Sequence, residues 1–152
     1  MLLILAGCGG SGQPKAEHQL VSGPGFRFQA PAGWTVSRAP RAVTASQDSE
    51  LVKVATFSLV KPYTSRLFDR VERELSVRMK QVAAQTGGKV SASSAVTAGG
   101  IRSHSYDVTV GDHVDQYTFV LRGMREFQLL CRRRVSHDTA VCDALISSFR
   151  PV

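Results

Sequence analysis

The sequence contains no apolar run near the ~20 residues that a helix needs to cross a bilayer, so no segment reads as a membrane span. It has no G-x-S-x-G around a serine and no glycine-rich phosphate loop; its glycines fall in turns and near the amino terminus. Aromatics are only 7% of the 152 residues and do not interleave with the basic ones, which argues against a surface that stacks nucleic-acid bases. Acidic residues are outnumbered 12 to 19 by Lys and Arg, leaving a net charge of +7. No internal repeat is present. What remains is a 43% apolar chain, enough for the core of one ordinary domain.

Cysteine is also scarce, and the three that exist are informative. Leu5-Ala6-Gly7-Cys8 matches the lipobox of bacterial lipoproteins, in which the cysteine sulfur receives diacylglycerol and cleavage precedes the cysteine. Residues 1–7 then read as the remnant of a signal, short in its apolar core and without the usual basic start. The expectation is a start further upstream or a trimmed chain. A chance LAGC on a cytoplasmic protein is the alternative. Two acyl chains on Cys8 would anchor stably where one would not. Residues 8–24, rich in Gly, Ser, Gln and Pro, read as a flexible tether with a reach on the order of 20–25 Å.

The other two cysteines lie in the closing stretch from Glu126 to Phe149. Phe127, Leu129 and Cys131 share one face of a strand by period two, and Cys142, Leu145, Ile146 and Phe149 form one stripe of a short helix. Ser136 or Asp138 can cap that helix. Both cysteines point inward on adjacent elements, where a disulfide can join them in an oxidising compartment; two buried free thiols are the plainer alternative.

Between these ends, residues 25–152 read as one α+β domain with a mostly antiparallel sheet. Phe26–Ala30 and Trp34–Val36 alternate around Pro31-Ala32-Gly33, Arg38–Asp48 reads as loop because of Pro40, and Leu51–Val60 is a buried strand. Leu67, Val71, Leu75, Met79 and Val82 mark one face of a long helix capped by Thr64 or Ser65 and stopped at Gly87-Gly88. A meander follows: Lys89–Ala98, a Gly99-Gly100 turn, Ile101–Val110, a Gly111-Asp112 turn, then His113–Arg122 turning at Gly123-Met124.

The F-x-F-x-x-P-x-G-W start (Phe26, Phe28, Pro31, Gly33, Trp34), the central helix, the meander and the C-x(10)-C-x(6)-F finish resemble bacterial lipoproteins of the PsbP-like and DcrB-like α/β/α sandwich superfamily. That resemblance implies helices packed on a sheet and, in most members, a binding or accessory role without catalysis. It supplies no catalytic residue and no cofactor.

Candidate chemistry is thin. Asp112, His113 and Asp115 make the nearest approach to a metal site and read as a polar hairpin tip. His104 reads as a sheet-face or core histidine, His137 as solvent-exposed, and His18 as part of the tether. Asp69, Glu72 and Glu74 read as helix ion-pair partners. Arg122, Arg125, Arg132, Arg133 and Arg134 crowd one hairpin and its exit. They form a basic face that suits anionic lipid, acidic wall polymer or an envelope protein, or that is simply solvated. The expected function is a membrane-tethered, non-enzymatic interaction or accessory module on the outer face of the cell membrane. The alternative is a carrier holding an apolar or lipid ligand between sheet and helix.

Overall fold

A computed structural model describes residues 17–152, so Cys8 and the lipobox lie outside the described residues. The chain begins with β1 (His18–Gly23), which pairs antiparallel with β2 (Phe26–Pro31) in the register His18↔Pro31 to Gly23↔Phe26. Residues 18–23 of the tether expected over 8–24 are therefore a paired strand, His18 included, and residues 8–16 lie outside the described residues. Val21 is buried and lies opposite buried Phe28, so pairing and burial stabilise a segment of weak strand propensity.

The loop expected at Arg38–Asp48 is a hairpin instead. β3 (Thr35–Ala39) turns through Pro40 and Arg41 into β4 (Ala42–Gln47), whose Val43 and Ala45 are buried. Pro40 sits in the turn, where its missing N–H costs the ladder nothing. β5 (Glu50–Tyr63) is longer than the apolar run suggests. A 3₁₀ turn at Ser65–Leu67 then leads into α1 (Phe68–Thr86), and neither Thr64 nor Ser65 makes a capping bond at its start. The other end follows the sequence: Gly87 has φ +73°, and its N–H bonds back to the carbonyls of Ala83 and Ala84.

β6 (Lys89–Ala98), β7 (Ile101–Val110) and β8 (His113–Arg134) complete a sheet in the order β3-β4-β5-β8-β7-β6. A straight strand of 22 residues would stretch about 70 Å, yet the ends of β8 touch. Val135 N–H donates to the Asp112 carbonyl at 2.8 Å, and Arg132 bonds Asp115 at 2.7 Å. β8 thus doubles back at Gly123-Met124, where Gly123 has φ +57°. Its outgoing arm pairs with β7 and its return arm with β5.

Last come α2 (Ala140–Ser148) and β9 (Arg150–Pro151), which pairs with β2 to give a second, three-stranded sheet β1-β2-β9. The N-cap of α2 is Thr139, which makes no side-chain capping bond, and not Ser136 or Asp138 as expected; Asp138 accepts the Ala140 N–H at 3.0 Å from one position earlier. The result is layered. α1 lays Leu75, Met79 and Ala83 on Tyr106, Val108 and Phe119 of one face of the large sheet. The small sheet and α2 cover the other face, where Phe26, Phe28, Phe127, Leu129, Leu145 and Phe149 interlock. β7 and the outgoing arm of β8 are therefore buried on both faces, with Phe119 under α1 and Val120 on the opposite side.

Cys131 and Cys142 form a disulfide with Cα atoms 5.5 Å apart. It ties α2 to the return arm of β8 inside the aromatic cluster, with Phe127 and Phe149 edge-to-face at 5.4 Å. α2 is only nine residues, too short to hold itself, so these contacts are what keep it helical.

Candidate functional site

The arginines expected on one face are split between the two ends of the β8 hairpin. Arg122 and Arg125 flank the turn and are exposed. Arg132 and Arg134 lie at the open end, about seven residues and roughly 23 Å further along. Arg132 is not a free surface charge either. Its Nε and Nη2 donate to Asp115 at 2.7 and 2.9 Å, a bidentate pair that raises the guanidinium's pKa further.

Asp115 is therefore no solvated tip residue, because it is buried beneath Arg132. His113 stands between Asp112 and Asp115 at 3.7 and 3.9 Å. Nearby, Glu50 accepts from or pairs with His137 Nδ1 at 2.6 Å and accepts the Arg134 backbone N–H at 3.3 Å. Among the described residues no group of three or more His, Cys, Asp or Glu is placed to hold a metal ion. At this end Asp115 is paired with Arg132 and Glu50 with His137, while Arg133 and Arg134 make no ion pair among the described residues.

His104 is a core histidine. It lies opposite Phe119 in the ladder, stacks on Phe68 at 3.9 Å, and leaves Nε2 without a hydrogen-bond partner among the described residues. The Arg102 guanidinium lies over the same Phe68 ring at 3.9 Å. Burial lowers the His104 pKa more than Glu72 and Asp69 raise it, and Arg102 lowers it further. Asp107 points to the opposite sheet face from His104, and Asp115 is four ladder steps away. His104, Asp107, His113 and Asp115 do not meet in one cleft.

Hollows of about 360 and 400 Å³ lie at this polar end, lined by Glu50 and Arg132 with His137 in one and His113 in the other; a smaller and more apolar cleft lies at the other end, and the sequence reading missed it. The last residues of β5 run past their neighbours: β4 stops pairing at Ala42↔Ala55, and the register with β8 jumps between Ser58 and Tyr63. Between this overhang and the start of α1 is a cleft of about 220 Å³ with Leu59, Pro62, Leu67, Val71, Leu75 and Leu121 on its walls. Lys61, Glu74, Arg78 and Glu126 rim it. Val60 beside it is 96% exposed, and Met124 at the β8 turn is 49% exposed. One signal was available: Lys61-Pro62 closes an apolar strand with residues that keep an open edge from pairing.

The chain enters the domain at the opposite end from this cleft. Ala32 N–H bonds the Glu17 carbonyl at 3.1 Å, and Trp34 lines a surface hollow with Arg133 and His137. β1 then runs away from that end, and Gly25 reaches the hollow that contains Arg125 and Phe57.

No family model and no curated protein matches the sequence. Among solved structures, cyanobacterial PsbP (CyanoP) from Synechocystis sp. PCC 6803 is similar, with a TM-score of 0.65 and 19% identity over 97% of this chain and 99% of that one. A protein from Bacteroides thetaiotaomicron VPI-5482 is similar with a TM-score of 0.64 and 11% identity over 90% of this chain, which spans 49% of that protein's length. At these identities the likeness concerns the fold: two layers of mostly antiparallel sheet with one long helix and one carboxy-terminal helix, a PsbP-like α+β fold.

Proposed function

We propose that this chain is a membrane-anchored extracytoplasmic lipoprotein whose domain works as a binding or accessory module, not as an enzyme. The observation that carries the reading is the Cys131–Cys142 bridge, because such bonds persist in oxidising compartments and are rare in reducing cytosol. Together with Leu5-Ala6-Gly7-Cys8 it assigns all three cysteines, one to lipid and two to each other.

The linker that this reading requires is short. From Cys8 to Glu17 is nine residues (17 − 8), at most about 30 Å when extended, so the domain stays close to its membrane. The end of the domain with Arg133, Arg134 and His137 then faces the lipid, and the cleft faces away. Where the carrier reading would place a ligand, Leu75, Met79, Tyr106 and Phe119 fill the space between α1 and the strands beneath it, leaving only the open cleft of about 220 Å³ beside the β5 overhang, which favours the binding module. The ion-paired arrangement of Asp115, Arg132, Glu50 and His137 supports a structural use of those groups.

The test is Cys8→Ser in cells that export lipoproteins. The variant should lose globomycin-sensitive processing and leave the membrane fraction. Unchanged membrane association would defeat the anchor.

A further inference from the structure

We infer that the hollow framed by the β1–β2 turn, the β3–β4 turn and the Thr56–Ser58 and Arg125 steps of β5 and β8 binds a phosphate monoester through Arg41 and Arg125. The inference rests on the binding-module reading and gives that module a site and a ligand class.

The hollow measures about 360 Å³, and Gly25, Arg41, Thr56, Ser58 and Arg125 are on its walls. No acidic side chain lines it. The other hollows described above all carry acids: Glu74 and Glu126 at the cleft, Glu50 with Asp138 or Asp112 at the polar end. Arg41 and Arg125 are both exposed, and neither makes an ion pair among the described residues. Glu126 follows Arg125 in the chain but points to the opposite face of the strand, where Arg78 lies 3.9 Å away. Val152 also lines the hollow, and its carboxylate pairs with neither arginine.

The fold puts the donors in place. Ser58 stands opposite Arg125 in the ladder, so the two share a face, and Thr56 two residues earlier points the same way. The Arg41 carbonyl accepts the Thr56 N–H at 2.9 Å, which holds the β3–β4 turn against β5. Gly25 has φ +81°, and a Cβ there would overlap the Arg125 guanidinium, so the β1–β2 turn leaves the space this side chain fills. Arg38 donates to the Ser22 carbonyl and ties the two hairpins together. Two residues on from Gly25, Arg27 stands opposite Arg150, a like-charge pair that adds positive potential at the same end.

This donor set suits phosphate better than carboxylate. One guanidinium fork already meets both oxygens of a carboxylate. A phosphate monoester offers three terminal oxygens and a charge of about −1.5 to −2 at pH 7, which engages two forks and a hydroxyl. The volume falls within the ~300–1,000 Å³ of small-ligand sites. Such a group arrives on a soluble ester or on a lipid headgroup such as phosphatidate.

The experiment titrates the purified full chain with methyl phosphate and follows its backbone amides by NMR. Saturable shifts should centre on Gly25, Arg41, Ser58 and Arg125, and acetate should bind more weakly. Arg41→Gln and Arg125→Gln should each weaken binding about tenfold, the size of one charge-assisted contact. Arg133→Gln at the opposite end should leave it unchanged, and amide spectra away from the hollow should show every variant folded. A second arm sediments the chain with phosphatidylcholine vesicles with and without phosphatidate, using Cys8→Ser so that acyl insertion does not mask the headgroup. Sedimentation that needs phosphatidate and Arg41 assigns the site to lipid, and methyl phosphate shifts without it assign the site to a soluble ester; either supports the phosphate site. Absence of both signals, shifts spread over the arginines of both ends, acetate binding as tightly as methyl phosphate, or binding indifferent to Arg41→Gln and Arg125→Gln would each overturn the inference. Fractionation of Cys8→Ser cells reports on the anchor separately, so failure of one reading is distinguishable from failure of the other.

Discussion

Breaking the Cys131–Cys142 bond should cost this domain a large and measurable part of its stability. The bond closes a loop of sequence separation 11, for which the chain-entropy relation gives about 2.8 kcal/mol at 25 °C. A folded unit of about 135 residues has an unfolding entropy near ~0.29 kcal/mol/K at its midpoint, so the loss corresponds to a melting shift of about 10 °C. Both sulfurs are fully buried against Phe127, Leu145 and Phe149, so a reduced pair still fills its space. Reduction should therefore cost only the loop-closure contribution. The double variant Cys131→Ala with Cys142→Ala removes packing too, and should melt lower again by ~1–2 kcal/mol. The assay is a thermal melt with and without reductant, beside peptide mapping of thiol labels on unreduced, denatured protein. If reductant leaves the midpoint within about 2 °C, the entropic argument fails. If Cys131 and Cys142 label without reductant, there is no bond to argue about.

Two further outcomes follow from buried charge. Removing Arg132 strands the nearly buried Asp115 carboxylate, whereas removing Asp115 leaves a guanidinium that can reach water; Arg132→Met should cost about 3 kcal/mol and Asp115→Ala about 1, as read by urea denaturation. Equal costs would contradict this asymmetry. For His104, burial holds the folded pKa below the unfolded value of 6.5, so near and below that pH the unfolded chain binds more protons. Stability should fall as pH drops from 6.5 toward the folded pKa, by up to ~1.4 kcal/mol per pH unit, and level off below it. The neighbouring Arg102, Asp69 and Glu72 are accounted for in that direction. His104→Leu should flatten this limb of the stability profile, and parallel profiles for the two proteins would count against the account.

Elements that carry their own periodicity and punctuation were legible in the sequence. β7 runs from Ile101 to Val110 as the Gly99-Gly100 and Gly111-Asp112 turns require, and α1 stops at Gly87. The disulfide followed from two inward faces. What could not be read is what depends on partners distant in the chain. β1 is a strand because β2 lies beside it, not because HQLVSG favours one. β2 and β3 are separated only by Ala32–Trp34 yet belong to different sheets, a choice made by Phe26 and Phe28 packing under α2. The candidate surface was misread for a related reason. Sequence proximity grouped five arginines, while a hairpin reversal in the middle of that segment sends two to one pole and three to the other. The cleft needed the β5 overhang, which no local pattern announces.

The long-range seam between β5 and the return arm of β8 has a consequence for how such a chain is handled before it folds. Leu51 meets Arg132 across about 80 intervening positions, and β2 waits for Pro151. A polypeptide emerging amino terminus first holds its early strands without their sheet partners until the last stretch arrives, because the loop-closure entropy is spent before those contacts repay it. Such a sequence stays open and threadable for most of its emergence, and locks only once its final segment is delivered.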